Sequence, residues 1–380
     1  MRVEERGLIY DAQAQPAAGR TAAFTGLCRL RNGALIASYQ VGEKKHAHNS
    51  RIWLGRSDDA GRTWAELPNA LSGQVDGTPG SLSSGQLLEL PGGRWLLCST
   101  WFDRSEPERP LFDPLTEGIL RSRQLLARSD DEGRTWSDWS IIPTPGLTGC
   151  AATGEVLGWE SGLIGYAFES FKEYDDPAPA RHAAWLLVSP DQGRTFPQAH
   201  LVARDPAHRV YYWDQRLCPA GPDGEYVALF WTHDRGKQQD LRVHLKRGSI
   251  HDPDPTVQPV ETPIPGQIAA PLLLADGRLL AFVVDRGRPG TMTLWSSPDG
   301  GDTWPEGDRL VVYTHDERAL LTQGREQIDF AQYWEDMGKW TFGHPAIRDL
   351  GQGKVLVAYY AGTPSCLSGH WARIDTSQPA

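Results

Sequence analysis

The sequence predicts an all-β protein, a six-bladed β-propeller whose blades are four-stranded antiparallel sheets. The composition and two internal repeats carry this prediction. The chain of 380 residues contains 40 glycines and 28 prolines, which indicates many turns and little helix. Apolar residues make up 39% and charged residues 23%, as in an ordinary folded protein. A mainly disordered chain, a collagen-like fibre and a coiled coil are therefore excluded.

The first repeat is a hairpin in which two apolar strands flank a turn glycine, as in residues 27–37. It recurs at intervals of 53 to 76 residues, about Gly33, Gly93, Gly162, Gly224, Gly277 and Gly353. Short strands at this period are typical of propeller blades. We therefore expect one domain over residues 1–380, closed into a ring by pairing of residues 7–10 with residues 371–374. The polar interruption at residues 314–340 is expected to form a loop or short helix over one face.

The second repeat is the motif Ser-x-Asp-x-Gly-x-Thr-Trp/Phe, which occurs four times. The copies begin at Ser57, Ser129, Ser189 and Ser297. The Asp side chain can accept hydrogen bonds from backbone N–H groups of a tight turn, and Gly adopts the positive φ that such a turn requires. The spacing from the hairpin glycines predicts that each copy connects the third and fourth strands of a blade. These aspartates are therefore interpreted as structural.

Charge, cysteines and hydropathy limit the partners that we expect. The net charge of −10 argues against binding of nucleic acid or of anionic membranes. No apolar run approaches the ~18 residues of a membrane helix, and the first ten residues lack the apolar stretch of a secretory signal, so a cytoplasmic protein is expected. The five cysteines lie far apart without metal-binding spacing, so reduced thiols, no metal site and no cofactor are expected.

The four motifs on a six-unit chain resemble the Asp-box (BNR) repeats of the sialidase (neuraminidase) superfamily, over nearly the whole sequence. The resemblance implies a pocket on the propeller axis, lined by the starts of the innermost strands and by the loops between second and third strands. It also implies a divergent member rather than a true sialidase. No aspartate lies between Asp11 and Asp58, where the acid/base aspartate of a sialidase is expected. His344 stands near the position of the tyrosine nucleophile.

That geometry and the chemistry of each side chain select candidates for catalysis. A histidine with a pKa near neutrality suits proton transfer, and a carboxylate beside aromatic rings suits a sugar. The predicted catalytic residues are Asp214, His344, His46, His48 and Glu169. For the histidines the alternatives are a solvated loop and a buried side chain bonded to the backbone.

Arginines suit an anionic substituent, because one guanidinium can donate two hydrogen bonds to a carboxylate. Arg235 and Arg288 are expected to correspond to two of the three arginines by which sialidases hold a carboxylate. The predicted substrate-binding residues are Arg235, Arg288, Arg286, Arg216, Gln267, Trp213, Asp103 and Tyr359. For the Asp-Arg pairs among them, the alternative is an exposed ion pair of little energetic consequence.

The sequence therefore predicts a carbohydrate-active enzyme whose partner is a small carbohydrate, first of all a glycoside hydrolase that releases a terminal sugar, acidic or neutral. Two alternatives stay open. One is a lyase that cleaves next to a uronic acid, in which a histidine or tyrosine abstracts the proton next to the carboxylate. The other is a propeller that binds glycans without turnover, since ring folds host many functions.

Overall fold

The computed structural model describes residues 1–68, 71–152, 154–252, 254–287, 289–315 and 340–377. In these residues the regular structure is β-strand, apart from two 3-10 turns at Ala17–Gly19 and Glu306–Asp308. The segment predicted to interrupt the repeat lies largely outside the described residues. Among the described residues, no helix is long and apolar enough to cross a membrane.

The strands fall into six groups in chain order, preceded by the N-terminal strand β1 (Arg2–Tyr10). Group 1 comprises β2 (Thr21–Arg29), β3 (Leu35–Gly42), β4 (Arg51–Ser57) and β5 (Ala65–Glu66). After the short β6 (Gln74–Val75), group 2 comprises β7 (Thr78–Glu89), β8 (Trp95–Asp103), β9 (Ser122–Ser129) and β10 (Ser140–Ile142). Group 3 comprises β11 (Val156–Gly158), β12 (Ile164–Ser170), β13 (Ala183–Ser189) and β14 (Gln198–Ala203).

Groups 4 to 6 continue the pattern. Group 4 comprises β15 (Val210–Pro219), β16 (Glu225–Asp234), β18 (His244–Ser249) and β19 (Val260–Glu261), with the short β17 (Gln239–Asp240) beside β16. Group 5 comprises β20 (Ala269–Leu273), β21 (Leu279–Asp285), β22 (Gly290–Ser297) and β23 (Arg309–His315). Group 6 comprises β24 (Phe342–Gly351), β25 (Lys354–Thr363) and β26 (Cys366–Asp375). Consecutive strands of each group pair antiparallel.

The N-terminal strand completes group 6. β1 pairs antiparallel with β26, from Arg2 opposite Asp375 to Tyr10 opposite Gly369. The sequence predicts this pair of strands, but residues 7–10 lie opposite residues 369–371 rather than 371–374. A single parallel pairing of Thr21 in β2 with β26 joins groups 6 and 1 into one eight-stranded sheet.

Local turn chemistry explains the six hairpins. All six predicted glycines lie between the first and second strand of a group and have φ between +72° and +94°. A side chain would oppose this conformation, so glycine is required there. At Gly224 the requirement is double, because an added Cβ would also lie 2.4 Å from a side-chain carbon of Ile250.

The four motif turns lie where they are predicted, between the third and fourth strands of groups 1, 2, 3 and 5. In the first, Asp59 Oδ1 accepts hydrogen bonds from the Ser57 hydroxyl (2.8 Å) and the Thr63 backbone N–H (2.9 Å), and Oδ2 accepts one from the Thr63 hydroxyl (2.7 Å). The backbone and hydroxyl bonds from Thr63 lower the pKa of Asp59 to about 2. The same three bonds recur at Asp131, Asp191 and Asp299.

The core lies between neighbouring groups rather than within any one of them. Groups 1 and 2 share one buried apolar cluster around Trp95, and groups 2 and 3, 3 and 4, 4 and 5, and 5 and 6 each share another. A further cluster around Trp371 and Tyr39 joins group 6 to group 1. Each group therefore buries apolar side chains against the groups before and after it.

Candidate active site

The innermost strands share an irregularity near their starts. In groups 1, 2, 4 and 6 a register shift interrupts the pairing of first and second strand. One non-glycine residue of each shift has a positive φ: Phe24 (56°), Ser84 (42°), Asp214 (45°) and His344 (55°). Such bulges re-aim a side chain, and a non-glycine residue in this region costs about 1–3 kcal/mol, which is typical of functional sites.

Three of these four side chains line one pocket, with an empty volume of about 930 Å³ including its open mouth. The exception is Ser84, whose hydroxyl donates to the carbonyl of Ala152 (2.8 Å). Besides the three, the lining comprises Lys45, His46, Ser83, Phe102, Leu111, Phe112, Ile119, Ala151, Ala152, Glu169, Trp213, Trp231, Ile268, Arg286, Trp340 and Tyr360. The pocket is therefore built at the end of the sheets opposite to the motif turns.

Two carboxylates, Asp214 and Glu169, line this pocket. The Asp214 side chain is 16% exposed, and its Oδ1 lies 3.9 Å from Nη2 of Arg216. Glu169 Oε1 accepts a hydrogen bond from the backbone N–H of Gln215 (3.2 Å), and its Oε2 lies 3.1 Å from Nε2 of His182. Both carboxylates are thus held in position by groups that are themselves buried.

Cationic groups gather in the same pocket. The Arg286 guanidinium lies over the Trp340 ring at 3.9 Å from its centroid. Burial lowers the pKa of Arg286, although the neighbouring Tyr360 acts in the opposite direction. Lys45 donates to the Trp340 carbonyl and lies over the Tyr360 ring at 4.7 Å from the centroid. Burial, with the charge of Arg286, lowers the pKa of Lys45, and burial raises that of Tyr360 to about 12.

Two arginines at the pocket, Arg216 and Arg286, have buried donors that no described residue uses. In Arg216 and Arg286 the Nε and Nη1 atoms are buried and have no hydrogen-bond partner among the residues that the structure describes. Buried polar groups are normally paired, so such donors indicate a site for water or an anion. Space for the Arg286 side chain depends on Gly343, where an added Cβ would lie 2.8 Å from Nη2 of Arg286.

His344 is fixed in one neutral form. Its Nδ1 lies 3.2 Å from the Thr25 carbonyl oxygen, which can only accept, so Nδ1 carries the proton. Its Nε2 lies 2.7 Å from Nη2 of Arg216, which can only donate, so Nε2 is the acceptor. Burial and the charge of Arg216 hold the pKa of His344 well below its ordinary value. The lone pair of His344 therefore orients Arg216 and is not available to a substrate.

The other two predicted histidines differ in placement. His46 lines the pocket, and burial, then the charge of Arg104, lowers its pKa to about 3, so it is neutral and weakly basic. His48 is exposed and lies outside the pocket lining.

Of the predicted substrate contacts, Trp213 and Arg286 line the pocket. Trp213 stacks on His233 with ring centroids 5.1 Å apart. Arg216 and Gln267 lie behind the lining, where Gln267 Oε1 accepts a hydrogen bond from the backbone N–H of Arg286 (2.9 Å).

Two predicted contacts lie elsewhere, and the position of a third is not described. Arg235 pairs with Glu117 (3.2 Å) and donates to the Tyr211 hydroxyl (3.3 Å), outside the pocket lining. Asp103 lines a different cleft. Arg288 lies outside the described residues.

Tyr359 requires a correction. It is buried in the core between groups 5 and 6, where its ring stacks on His370. Successive side chains of a strand point to opposite faces, so it is the next residue, Tyr360, that lines the pocket.

Sequence reasoning missed several residues of the site. Lys45 was part of an apparently solvated Glu-Lys-Lys-His segment, and His182 carried no local signal. The apolar residues between β8 and β9, among them Leu111 and Phe112, also line the pocket. Their only signal was an unusual cluster of apolar side chains in a loop. Among the described residues, no group of His, Cys, Asp and Glu could hold a metal ion.

Comparison with known proteins supports the fold. No protein-family model and no curated protein matches the sequence. A protein of unknown function from Dyadobacter fermentans matches at a TM-score of 0.72 and 20% identity over 99% of both chains. An α-L-arabinofuranosidase from Fusarium graminearum matches at 0.64 and 12% over 99% of both chains. An intramolecular trans-sialidase from Ruminococcus gnavus matches at 0.62 and 13% over the whole of both chains. At such identities the likeness shows a distant sialidase-like, propeller-type fold.

Proposed function

We propose that this protein is a glycoside hydrolase that releases a terminal sugar, with Asp214 and Glu169 as its pair of catalytic carboxylates. The observation that carries the proposal is that these two carboxylates, from different strand groups, line one pocket and are each held by fixed neighbours. Most glycoside hydrolases use two carboxyl groups on either side of the bond that breaks. The neighbours of known structure include an α-L-arabinofuranosidase and an intramolecular trans-sialidase, which are carbohydrate-active enzymes.

The surroundings of the two carboxylates suggest their roles. Asp214 lies beside Arg216 and interacts electrostatically with Arg286, so it suits the group that stays charged and acts as base or nucleophile. Glu169, which a histidine ring and a backbone N–H hold in place, takes the remaining role in this proposal and donates the proton to the leaving oxygen. Neither role requires a cofactor.

The remaining lining suggests how a sugar is held. The apolar face of a sugar ring can stack on Trp213, which lines the pocket beside Asp214. Arg286 suits an anionic substituent, because its Nε and Nη1 are unused among the described residues. We therefore propose an acidic terminal sugar.

The scaffold in this proposal is a single six-bladed propeller over residues 1–380, closed by β1, in a divergent branch of the sialidase superfamily. Support comes from the pairing of β1 with β26 and from the buried cluster that groups 6 and 1 share. The four repeated motif turns add to it.

The test is release of the aryl group from a panel of aryl glycosides that includes uronides and neutral sugars. We expect turnover of at least one acidic member. Asp214→Asn and Glu169→Gln should each lower kcat/KM by about 10²- to 10⁴-fold. Asp130→Asn, an exposed residue near the motif turn of group 2, is the matched control and should retain full activity. Full activity in both pocket variants would refute the proposal.

Two further outcomes decide between the alternatives. Binding of glycosides without turnover would indicate a glycan-binding propeller instead. Formation of an unsaturated, ultraviolet-absorbing product from uronate oligomers would indicate a lyase, in line with general-base chemistry next to a carboxylate. The histidines do not favour the lyase: the Nε2 of His344 is occupied, and His46 is a weak base.

A further inference from the structure

The pocket has two walls of different chemistry. Lys45 and Arg286, from the ends of β3 and β21, form what we call the cationic wall, together with Tyr360. Leu111, Phe112 and Ile119, which lie between β8 and β9, form the apolar wall together with Phe102 at the end of β8. The side chains of the apolar wall carry no hydrogen-bonding group.

The apolar wall is an ordered part of the fold. Phe112 and Ile119 form an antiparallel bridge, and the backbone N–H of Leu120 donates to the carbonyl of Leu111 (2.9 Å). Ile119 is tied to the neighbouring group 3 by a hydrogen bond from its N–H to the carbonyl of Lys172 (3.2 Å). Residues of the wall share a buried cluster with Tyr174. The apolar lining is therefore preformed before any ligand binds.

Such a wall disfavours a second sugar. Sugar hydroxyls that leave water need new hydrogen-bond partners, and side chains of this kind offer none. An apolar or aromatic group, by contrast, gains free energy by leaving water against them. The cationic wall instead favours an anionic group over an apolar one, because its buried guanidinium has donors without partners among the described residues.

We propose that the pocket recognises amphiphilic anions, molecules that carry an anionic group at one end and an apolar or aromatic group at the other. The apolar wall is then the site of the leaving group. Together with the proposed hydrolysis, on which this part rests, the substrate class is an acidic glycoside with an apolar aglycone. Water adds to the anomeric carbon, the glycosidic C–O bond breaks, and the aglycone leaves as an alcohol or phenol.

The binding part can be tested without turnover, by isothermal titration of the full chain with three probes. 2-Naphthylacetate carries both features, 2-(2-naphthyl)ethanol lacks the charge, and acetate lacks the aromatic group. We expect the naphthyl acid to bind at least about tenfold more tightly than either of the others. Equal affinity for the acid and the alcohol, equal affinity for the acid and acetate, or no binding of the acid at millimolar concentration would each overturn the proposal.

Variants test which wall binds each end of the naphthyl acid. Leu111→Ser should weaken binding of the naphthyl acid severalfold, whereas Leu115→Ser is the matched control. Leu115 lies in the same loop, is 91% exposed and does not line the pocket. Arg286→Met should abolish the preference for the acid over the alcohol. If that variant fails to fold, the Leu111 and Leu115 pair still decides, since equal effects of the two would contradict the proposed wall.

The outcome is distinguishable from failure of the proposed function. Tight binding of the naphthyl acid without hydrolysis of any glycoside would refute the hydrolase and retain the amphiphilic anion site. Hydrolysis of acidic glycosides at rates and affinities that do not differ between naphthyl and sugar aglycones would retain the hydrolase and refute the apolar leaving-group site.

Discussion

The two ends of the sheets differ in how completely their polar side chains are hydrogen-bonded. At the motif turns each Asp accepts three hydrogen bonds from its own turn, from the Ser two residues before it and the Thr four residues after it. At the pocket end, Arg216 and Arg286 bury nitrogens that have no partner among the described residues. Backbone conformation does not separate the two ends. The pocket end has positive φ at Phe24, Asp214 and His344, and the motif turns have it at Ala60, Glu132 and Gln192 as well as at their glycines.

The difference shows that each end serves a separate purpose. Three bonds within one turn stabilise the connection between strands and leave nothing for a ligand. Unpaired buried donors cost stability, and a fold retains them where a ligand supplies the missing partners. Changes at the two ends should therefore separate stability from activity.

The largest expected separation is between two aspartates. Asp214→Asn should lower kcat/KM on an aryl glycoside by about 10²- to 10⁴-fold while the Tm changes little, since Asn tolerates positive φ. Asp59→Ala should do the reverse, lowering the Tm by a few degrees through loss of its three bonds and leaving kcat/KM unchanged. Paired thermal melts and kinetics measure this, and a large loss of activity in Asp59→Ala would break the comparison.

A second separation concerns His344 as a positioning residue for Arg216. His344→Phe should lower activity by up to about a hundredfold by releasing the guanidinium. His344→Gln, whose amide oxygen can accept from Arg216, should restore most of it with an unchanged pH profile. 15N NMR of labelled histidines checks the cause: the His344 signal should show a protonated Nδ1 and stay neutral at pH 5. A protonated Nε2 would contradict the assignment.

Titratable groups at the pocket and at the motif turns should affect the stability of the protein in different pH ranges. The folded pKa of His46 is about 3, below its unfolded value of ~6.5, so its contribution is complete above ~6.5 and is lost as the pH falls toward 3. Between these two pKa values, His46→Asn should lower the slope of the free energy of unfolding against pH by about 1 kcal/mol per pH unit. His48→Asn is the exposed control. An identical slope in wild type and His46→Asn, by chemical denaturation, would refute the burial argument.

The motif aspartates should affect the pH dependence of stability only in a more acidic range. The pKa of Asp131 is about 2 in the folded protein, because of its bonds from Thr135, against ~3.8 when unfolded. Its contribution is therefore present above ~4 and is lost between about pH 4 and 2.

The smallest expected effect concerns the space for Arg286. Gly343→Ala places a Cβ 2.8 Å from Nη2 of Arg286 and should weaken binding of an anionic ligand severalfold. Gly351→Ala is the matched control, because this glycine also has a positive φ (80°) but an added Cβ would meet nothing within 4 Å. Both should cost about 1–3 kcal/mol of stability, because both glycines have a positive φ that a side chain opposes. Equal ligand affinity in the two variants, measured by titration, would show that Gly343 does not hold the space for Arg286.

The fold was predictable to the extent that its signals are local and repeated. Turn glycines such as Gly33 and the motif around Asp59 specify the same turn wherever they occur, so strand pairs could be counted from the sequence. The pairing of β1 with β26 followed from that count. The site was less predictable, because an error of one residue along a strand moves a side chain to the opposite face of the sheet. Tyr360 rather than Tyr359 lines the pocket for this reason.

Contacts between distant strands carried no sequence signal. The pairing of Glu169 with His182 depends on the register of β12 with β13, and the neutral state of His344 depends on Arg216, 128 residues away in the sequence. Lys45 reads as a solvated charge until the fold encloses it. Residue type indicated which groups could act, and only the packed structure shows which of them face one another.

The pairing of the terminal strands has a mechanical consequence. Arg2 lies opposite Asp375, so the two termini leave the strand pair at the same end. Tension applied to the termini would therefore break the hydrogen bonds between β1 and β26 one pair at a time, starting from that end. Opposite charges stand at that end, where Lys354 and Arg373 pair with Glu4. The pairing of β1 with β26 would thus open at low force. The force needed to begin opening it would fall as salt screens these ion pairs.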